Sequence, residues 1–143
     1  MRPIRQIIIH QSDTVGGTLE SIRRHHRQAR GWDDIGYHYV IERDAAVKKG
    51  RNNSEIGAHC RGDNEDSIGI CLVGRGEALP LDDGYCSLPM FLALMRLVRD
   101  LQAAYPTITQ VWGHREKPSG IAQGKTCPGF DAGVVRALVL GEG

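Results

Sequence analysis

Residues 124–131 of the chain read GKTCPGFD, and residues 112–114, just upstream, read WGH. A cysteine between a threonine and a proline, one short loop after a histidine that closes an apolar run, is typical of a metal-ligand pair. Catalytic zinc usually takes three protein ligands, so a third donor must come from elsewhere. The best candidate is His10, which ends the β-branched run Ile7-Ile8-Ile9 and which a strand would deliver to the rim of a sheet. Together with His114 and Cys127, it gives the widely spaced donor set of an open catalytic zinc site rather than a structural zinc knuckle.

The length of 143 residues predicts one domain, spanning residues 1–143, with a single core. The formal net charge of +1 provides no basic stripe of the kind that nucleic-acid binding requires, so we expect no nucleic-acid partner. A local group of cations at residues 23–30 is interpreted as a solvated helix face. Attraction of an anionic polymer is the alternative interpretation of this group.

The four cysteines stand in different sequence contexts and do not imply disulfides. Cys71 lies in a strand-like run, Cys60 and Cys86 lie in loop-like stretches, and Cys127 belongs to the predicted metal loop. The N-terminal residues contain no apolar run of signal-peptide length, and no segment approaches the ~20 apolar residues of a membrane span. We therefore expect synthesis in the cytoplasm without a signal peptide, where free thiols are the default, and no membrane contact.

Hydrophobic periodicity predicts five strands and three helices. The predicted strands are 4–10, 37–43, 46–50, 67–74 and 108–114. The predicted helices are 19–29, 88–104 and 132–140. Thr18 and Asp131 can cap the first and the last helix. The order β-α-β-β-β-α-β-α predicts a protein of the α/β class, with an α+β-like arrangement in which a central mixed β-sheet is flanked by helices.

Side-chain patterns add detail to these elements. Residues 67–74 are nearly continuously apolar, which predicts a central strand buried on both faces. Alternation places Tyr37 and Tyr39 on one face of their strand and His38 on the other. Residues 52–66 and 80–87 are predicted to be loops, and His25 and His26 are interpreted as ordinary helix residues. The helix positions predicted to face the core are Phe91, Leu94, Met95, Val98, Leu101, Val134, Val135, Leu138 and Val139.

Short motifs run in order along nearly the whole chain, from about residue 5 to residue 140. They read IH at 9–10, GYHYVI at 36–41, GAH at 57–59, Asn64, SIGICLVG at 67–74, GHRE at 113–116 and KTCPG at 125–129. Any one motif is weak, but this many in order are specific. The chain resembles the type 2 N-acetylmuramoyl-L-alanine amidases, a family that includes amidase-type bacteriophage lysozymes and the animal peptidoglycan recognition proteins.

The resemblance implies the fold of these proteins and a set of site residues. His10, His114 and Cys127 are expected to bind one zinc ion per chain, with the fourth coordination position left open. Taken singly, His10 could be a satisfied strand-end histidine and Cys127 a buried thiol.

Four further residues match family positions near the metal. Tyr37 and Lys125 are expected to be catalytic, because a phenol can orient or deprotonate a water and an ammonium can stabilise an oxyanion. Alternatively, Tyr37 is a structural aromatic residue of the sheet and Lys125 is a solvated loop lysine. His59 resembles a cleft residue that contacts substrate, and Asn64 a polar neighbour with the same role.

Cys71 departs from one branch of the family. Cytoplasmic cell-wall recycling amidases tend to read Ile-Gly-Ile-Glu where this chain has Ile68-Gly69-Ile70-Cys71, and they often end the metal set with Lys-Thr-Asp. Because a thiol cannot replace a glutamate base, the acid/base role passes to Tyr37. The chain is therefore more similar to the phage lysozymes, although the cleft wall at residues 118–123 stays undefined by sequence.

The function that the resemblance implies is zinc-dependent hydrolysis of the amide between N-acetylmuramic acid and L-alanine in peptidoglycan. We expect a phage or prophage endolysin that acts on thin, Gram-negative walls after release through a pore. A cytoplasmic recycling amidase acting on muropeptides and a non-catalytic peptidoglycan-binding protein are the alternatives, although the latter tend to lose the cysteine ligand. Related phage enzymes can bind a phage RNA polymerase, but nothing in this sequence supports such a contact. We expect the protein to be a monomer.

Overall fold

The computed structural model of the chain describes residues 2–14, 16–76 and 85–140. Its strands are β1 (Gln6–Gln11), β2 (Tyr39–Ile41), β3 (Val47–Lys49), β4 (Ser67–Leu72) and β5 (Gln110–Gly113). Its α-helices are α1 (Leu19–Ala29), α2 (Leu88–Ala104), α3 (Pro118–Ala122) and α4 (Gly133–Leu140), and one 3-10 turn covers His114–Glu116. None of the helices in these ranges is long and apolar enough to cross a membrane.

The five strands form one mixed sheet in the order β3-β2-β4-β1-β5. β1 pairs in parallel with β4 on one side and with β5 on the other, and only the β2–β3 pair is antiparallel. The register aligns His10 with Cys71 and Ile9 with Gly113. Because the carboxyl ends of parallel strands meet at one edge of the sheet, the residues that follow β1 and β5 lie side by side there.

The two faces of the sheet are covered differently. α2 and α4 pack on the face that carries Ile7, Ile9 and Ile70, and together they form the main core. The α2 positions buried there include all five that the sequence predicts to face the core, namely Phe91, Leu94, Met95, Val98 and Leu101. The opposite face carries a smaller cluster built from α1 and the neighbouring strands, whose buried members are Leu19, Ile35, Val40, Cys71 and Val73.

All eight predicted elements are confirmed, and each predicted end lies within two residues of the observed one. Thr18 caps α1, since its side chain accepts a hydrogen bond from the Ser21 amide. Asp131 accepts one from the Gly133 amide at the start of α4. β4 is buried along its whole length, as its continuous apolar run predicts. No disulfide joins the four cysteines, all of which belong to the described residues.

The predicted placement of Tyr37 and Tyr39 on one face is wrong. Tyr37 packs on the smaller cluster and Tyr39 on the main core, on opposite sides of the sheet. The carbonyls of the consecutive residues Tyr37 and His38 accept hydrogen bonds from Arg51 and Gly50. In a regular strand successive carbonyls point in opposite directions, so this pairing breaks the alternation just before β2 begins.

The C-terminal third differs from the prediction in two further ways. α3 is absent from the prediction, because five residues containing Pro118 and Gly120 carry no readable helical period. In α4, Val135 is buried and Val139 packs against the core, but Val134 and Leu138 are 39% and 55% exposed rather than packed on the sheet.

Residues 80–84 of the predicted loop at 80–87 lie outside the described part of the chain.

The contrast between Leu94 and Leu92 on α2 tests this packing. Leu94 is fully buried against the sheet, whereas Leu92 is 57% exposed. Leu94→Ala should lower the free energy of unfolding by about 2–5 kcal/mol, because it removes buried methyl groups and leaves a cavity. Leu92→Ala, measured by the same urea titration, should change it by no more than about 0.5 kcal/mol. Equal effects of the two substitutions would contradict the assigned face of α2.

Candidate metal centre and active site

His10, His114 and Cys127 converge at the carboxyl edge of the sheet. His10 is near the end of β1, and His114 follows the last residue of β5. Cys127 comes from the loop before α4, which is tied down where the Arg115 amide donates to the Cys127 carbonyl at 2.8 Å. One metal-binding atom of each residue lies within 4.8 Å of the others. The structure therefore brings together the three donors that the sequence predicts as metal ligands.

The Cys127 sulfur lies close to the strand that carries His10. The backbone N–H of Gln11 donates to Cys127 Sγ at 2.9 Å. Gly113 permits this approach of the loop, because a side-chain Cβ there would lie 2.7 Å from Pro128 Cδ. Burial raises the pKa of the Cys127 thiol to about 12, while the Gln11 amide and the Lys125 ammonium favour the thiolate. A bound metal cation would shift Cys127 to the thiolate, because a coordinating thiol is deprotonated outright.

The chemistry of this donor set fits zinc. Burial holds the pKa of His10 well below its usual value, and burial followed by Lys125 lowers that of His114. Both imidazoles are therefore neutral at pH 7, which is the form that binds a metal. Zinc–nitrogen and zinc–sulfur bonds in a tetrahedral site put the ligand atoms about 3.3–3.6 Å apart. A small inward movement of the three side chains reaches that spacing from the one observed.

The donor cluster opens into a cavity of about 690 Å³. Tyr37, Lys125, His59 and Asn64, the other four residues that the sequence assigns to the site, also line it. Among the described residues, the walls carry the cations Arg30, Arg61 and Lys125 and a single carboxylate, Asp13. The cavity is thus suited to a polar ligand that bears negative charge.

Tyr37 stands beside the donor cluster as a neutral phenol. Its ring centroid lies 5.2 Å from that of His10. Burial, and then the thiols of Cys71 and Cys127, hold the pKa of Tyr37 well above its usual value. The phenol can therefore donate a hydrogen bond to a group in the cavity, and it is poorly suited to remove a proton from one.

Lys125 reaches the cavity from the loop that precedes Cys127. The residue is exposed, and its amide donates to the carbonyl of Gly120 in α3 at 2.9 Å. After burial, its ammonium is the largest influence that lowers the pKa of His114. An exposed cation next to the donor cluster can stabilise negative charge as it develops on a bound ligand.

His59 and Asn64 line the cavity but also make contacts within the protein. His59 Nδ1 lies 2.9 Å from His10 Nε2, and His59 Nε2 lies 3.1 Å from Ser67 Oγ. Asn64 Oδ1 accepts hydrogen bonds from the amides of His59 and Cys60 at 3.0 and 2.9 Å. The asparagine thereby fixes the loop that carries the histidine. Their predicted contact with substrate stays a prediction.

Several residues that line the cavity were not assigned to the site from sequence. His26, interpreted there as an ordinary helix residue, accepts a hydrogen bond from the Gly36 amide at Nδ1 and lies 5.7 Å from Tyr37 between ring centroids. Its place on the buried face of α1, with Leu19, is the signal that could have identified it. Trp32 and Arg61 also line the cavity, and their sequence contexts carry no comparable signal. Arg30, Ser119 and Gln123 line it too: the first belongs to the cation group at residues 23–30, and the other two to the cleft wall at residues 118–123.

Comparison with known proteins agrees with this geometry. Residues 1–130 match the family described as N-acetylmuramoyl-L-alanine amidase. The endolysin of Enterobacteria phage K11 is 33% identical over 129 residues, which cover 88% of this chain and 81% of the relative. The chain therefore belongs to the N-acetylmuramoyl-L-alanine amidase family.

Two solved structures share the fold. The N-acetylmuramoyl-L-alanine amidase LysC from Clostridium intestinale has a TM-score of 0.81 at 27% identity, covering 99% of this chain and 88% of its own. The Ph2119 endolysin of a Thermus scotoductus bacteriophage has a TM-score of 0.76 at 32% identity, covering 95% of this chain and 84% of its own. The fold that the sequence resemblance implies is thus confirmed.

Proposed function

We propose that this chain is a zinc-dependent N-acetylmuramoyl-L-alanine amidase that acts on peptidoglycan as a phage or prophage endolysin. It hydrolyses the amide between the lactyl group of N-acetylmuramic acid and L-alanine of the stem peptide. The observation that carries the proposal is the His10, His114 and Cys127 cluster at the base of a cavity, with donor atoms within 4.8 Å of one another. Relatives named endolysin over most of the chain support the phage context.

The metal ligands, Tyr37 and Lys125 have separate roles at the scissile amide. A zinc ion held by His10, His114 and Cys127 would supply Lewis acidity at neutral pH. The protonated Tyr37 phenol orients the attacking water by donating a hydrogen bond. The Lys125 ammonium stabilises the negative charge that develops on the carbonyl oxygen as the tetrahedral state forms.

The cavity also suits a peptidoglycan stem. Stem peptides carry carboxylates, and among the described lining residues the excess of Arg30, Arg61 and Lys125 over Asp13 favours an anionic ligand. Trp32 offers an aromatic face beside Arg30, whose guanidinium stands 5.2 Å from its ring centroid. A strongly cationic substrate would be repelled by the positive charge of these walls.

The whole of residues 1–143 is proposed to work as one catalytic domain and as a monomer. Site residues come from positions as far apart as His10 and Cys127, and all of them reach one cavity at one edge of one sheet. As an endolysin the protein acts on the cell wall. The presence of the cysteine donor favours an enzyme over a peptidoglycan-binding protein without activity.

Mass spectrometry of purified enterobacterial sacculi tests the reaction. Digestion with the protein should release stem peptides with new alanine N-termini and leave the glycan strands uncut. A chelator should abolish the release, and added zinc should restore it, because the metal supplies the Lewis acid. Cleavage of soluble muropeptides without cleavage of sacculi would instead identify a recycling amidase. Binding to sacculi with no new N-termini would identify a non-catalytic binding protein.

Metal analysis tests the ligand set. The purified protein should hold about one zinc ion per chain, and His10→Ala or Cys127→Ser should sharply lower that content, because loss of one of three ligands weakens an open site. Cys60→Ser is the matched control, since Cys60 lines the same cavity but is not part of the donor cluster. Full zinc content in both ligand variants would exclude the assignment.

Kinetics of Tyr37→Phe and Lys125→Ala separate catalysis from metal binding. Both variants should keep zinc and fold, while kcat falls about a hundred- to a thousandfold and KM changes little, because these contacts strengthen only as charge develops. Lys48→Ala is the control, since Lys48 is exposed on β3, at the far edge of the sheet. If Lys125→Ala stays within a fewfold of the wild type on a muramoyl tripeptide, the lysine is an ordinary loop residue.

A further inference from the structure

Each donor of the metal cluster is contacted by a second polar group. His10 Nε2 lies 2.9 Å from His59 Nδ1, and His114 Nε2 lies 3.4 Å from Ser119 Oγ. The Gln11 amide donates to the Cys127 sulfur. In both histidines the ring nitrogen in contact with a neighbouring side chain is Nε2, which leaves Nδ1 as the nitrogen that can bind a metal.

The shorter of these two contacts, between His10 and His59, determines which ring nitrogen of His10 can bind a metal. A ring nitrogen has one in-plane direction, so Nε2 of His10 cannot bind a metal while it is hydrogen-bonded to His59. A metal held by His10 must then be on Nδ1, and the single proton of the neutral ring must be on Nε2. That proton is donated to His59 Nδ1, which puts the proton of His59 on Nε2, where it is donated to Ser67 Oγ at 3.1 Å.

We propose that His59, supported by Ser67, is a positioning residue that holds His10 with Nδ1 toward the metal and Nε2 protonated. The inference rests on the proposed zinc centre and adds a role for a residue that the sequence assigns to substrate contact. Histidine ligands commonly donate their second N–H to an acceptor that fixes the tautomer and ring orientation, and loss of such an acceptor typically costs 10–100-fold in metal affinity.

The fold holds the His59 ring in one place. Gly69 of β4 lies directly against it, because a Cβ at that position would come 2.6 Å from the ring. Gly57 is similar, with a distance of 2.8 Å from its Cβ position to His59 Cδ2. The backbone of His59 is fixed by Asn64, and Ser67 is fully buried on β4. These contacts leave the His59 ring little room to move and keep its Nδ1 beside His10.

Zinc affinity, measured by competition with a chromophoric chelator, tests the role of His59 without any turnover. His59→Phe keeps a ring but has no acceptor, and it should weaken zinc binding about 10–100-fold. His59→Gln offers an amide oxygen to His10 and an amide N–H to Ser67, so its affinity should stay within a fewfold of the wild type. His25→Phe, at an exposed histidine of α1, should have no effect. Wild-type zinc affinity in His59→Phe with only a raised KM would overturn the proposal in favour of a substrate contact.

Nitrogen-15 NMR of the zinc-loaded protein provides a second readout, which also covers a His59→Phe variant that fails to fold. The long-range coupling pattern should show His10 bound through Nδ1 and protonated at Nε2, and His59 protonated at Nε2. Coordination through Nε2 of His10 would overturn the proposal. Both measurements are independent of activity, so a protein with this tautomer pattern and no amidase activity would contradict only the proposed function. An active amidase with Nε2 coordination would contradict only the role of His59.

Discussion

The parallel pairing of β1 with β4 and β5 is the interaction on which the rest of the molecule depends. β1 is buried along its whole length, and its register fixes His10 opposite Cys71 and places His114 directly beyond the partner of Ile9. Because side chains alternate along a strand, a slip of one residue would turn His10 into the core under α2 and bring Ile9 to the cavity. The apolar content of Ile7, Ile8 and Ile9 resists such a slip, since it would exchange buried isoleucine for buried imidazole.

The unequal covering of the two sheet faces follows from this arrangement. Two helices and most of the large apolar residues cover one face, whereas the other is covered by α1 and by loops rich in polar residues. Loops can bring histidine, tyrosine and arginine to the cavity without opening the main core. The main core and the site residues thereby lie on opposite sides of one sheet. Gly69 allows the His59 ring to approach β4 closely on the side of the cavity.

The sequence predicted those features that depend on period, apolar content and motif. The long amphipathic period of α2 and the apolar runs of β1 and β4 correctly identified the core, and the motifs around His10, His114 and Cys127 identified residues that meet in space. The sides of Tyr37 and Tyr39 could not be predicted, because the break in alternation depends on hydrogen bonds from residues 50 and 51. The contact of His59 with His10 was also missed, since a loop sequence does not state which strand its side chain will meet.

The hydrogen bond from the Gln11 amide to the Cys127 sulfur joins residues 116 positions apart in the chain. The donor cluster is therefore completed late: His114 and Cys127 share one segment, which the Arg115 amide holds together, but His10 joins them only when β1 pairs with β5. Closing a loop of that length costs chain entropy that only the assembled sheet can offset. Any ion that binds all three donors consequently binds the native state and almost nothing else, so its binding energy acts on the global folding equilibrium rather than on one region. The concentration of free metal then becomes, for this protein, a thermodynamic variable of the same kind as temperature or denaturant.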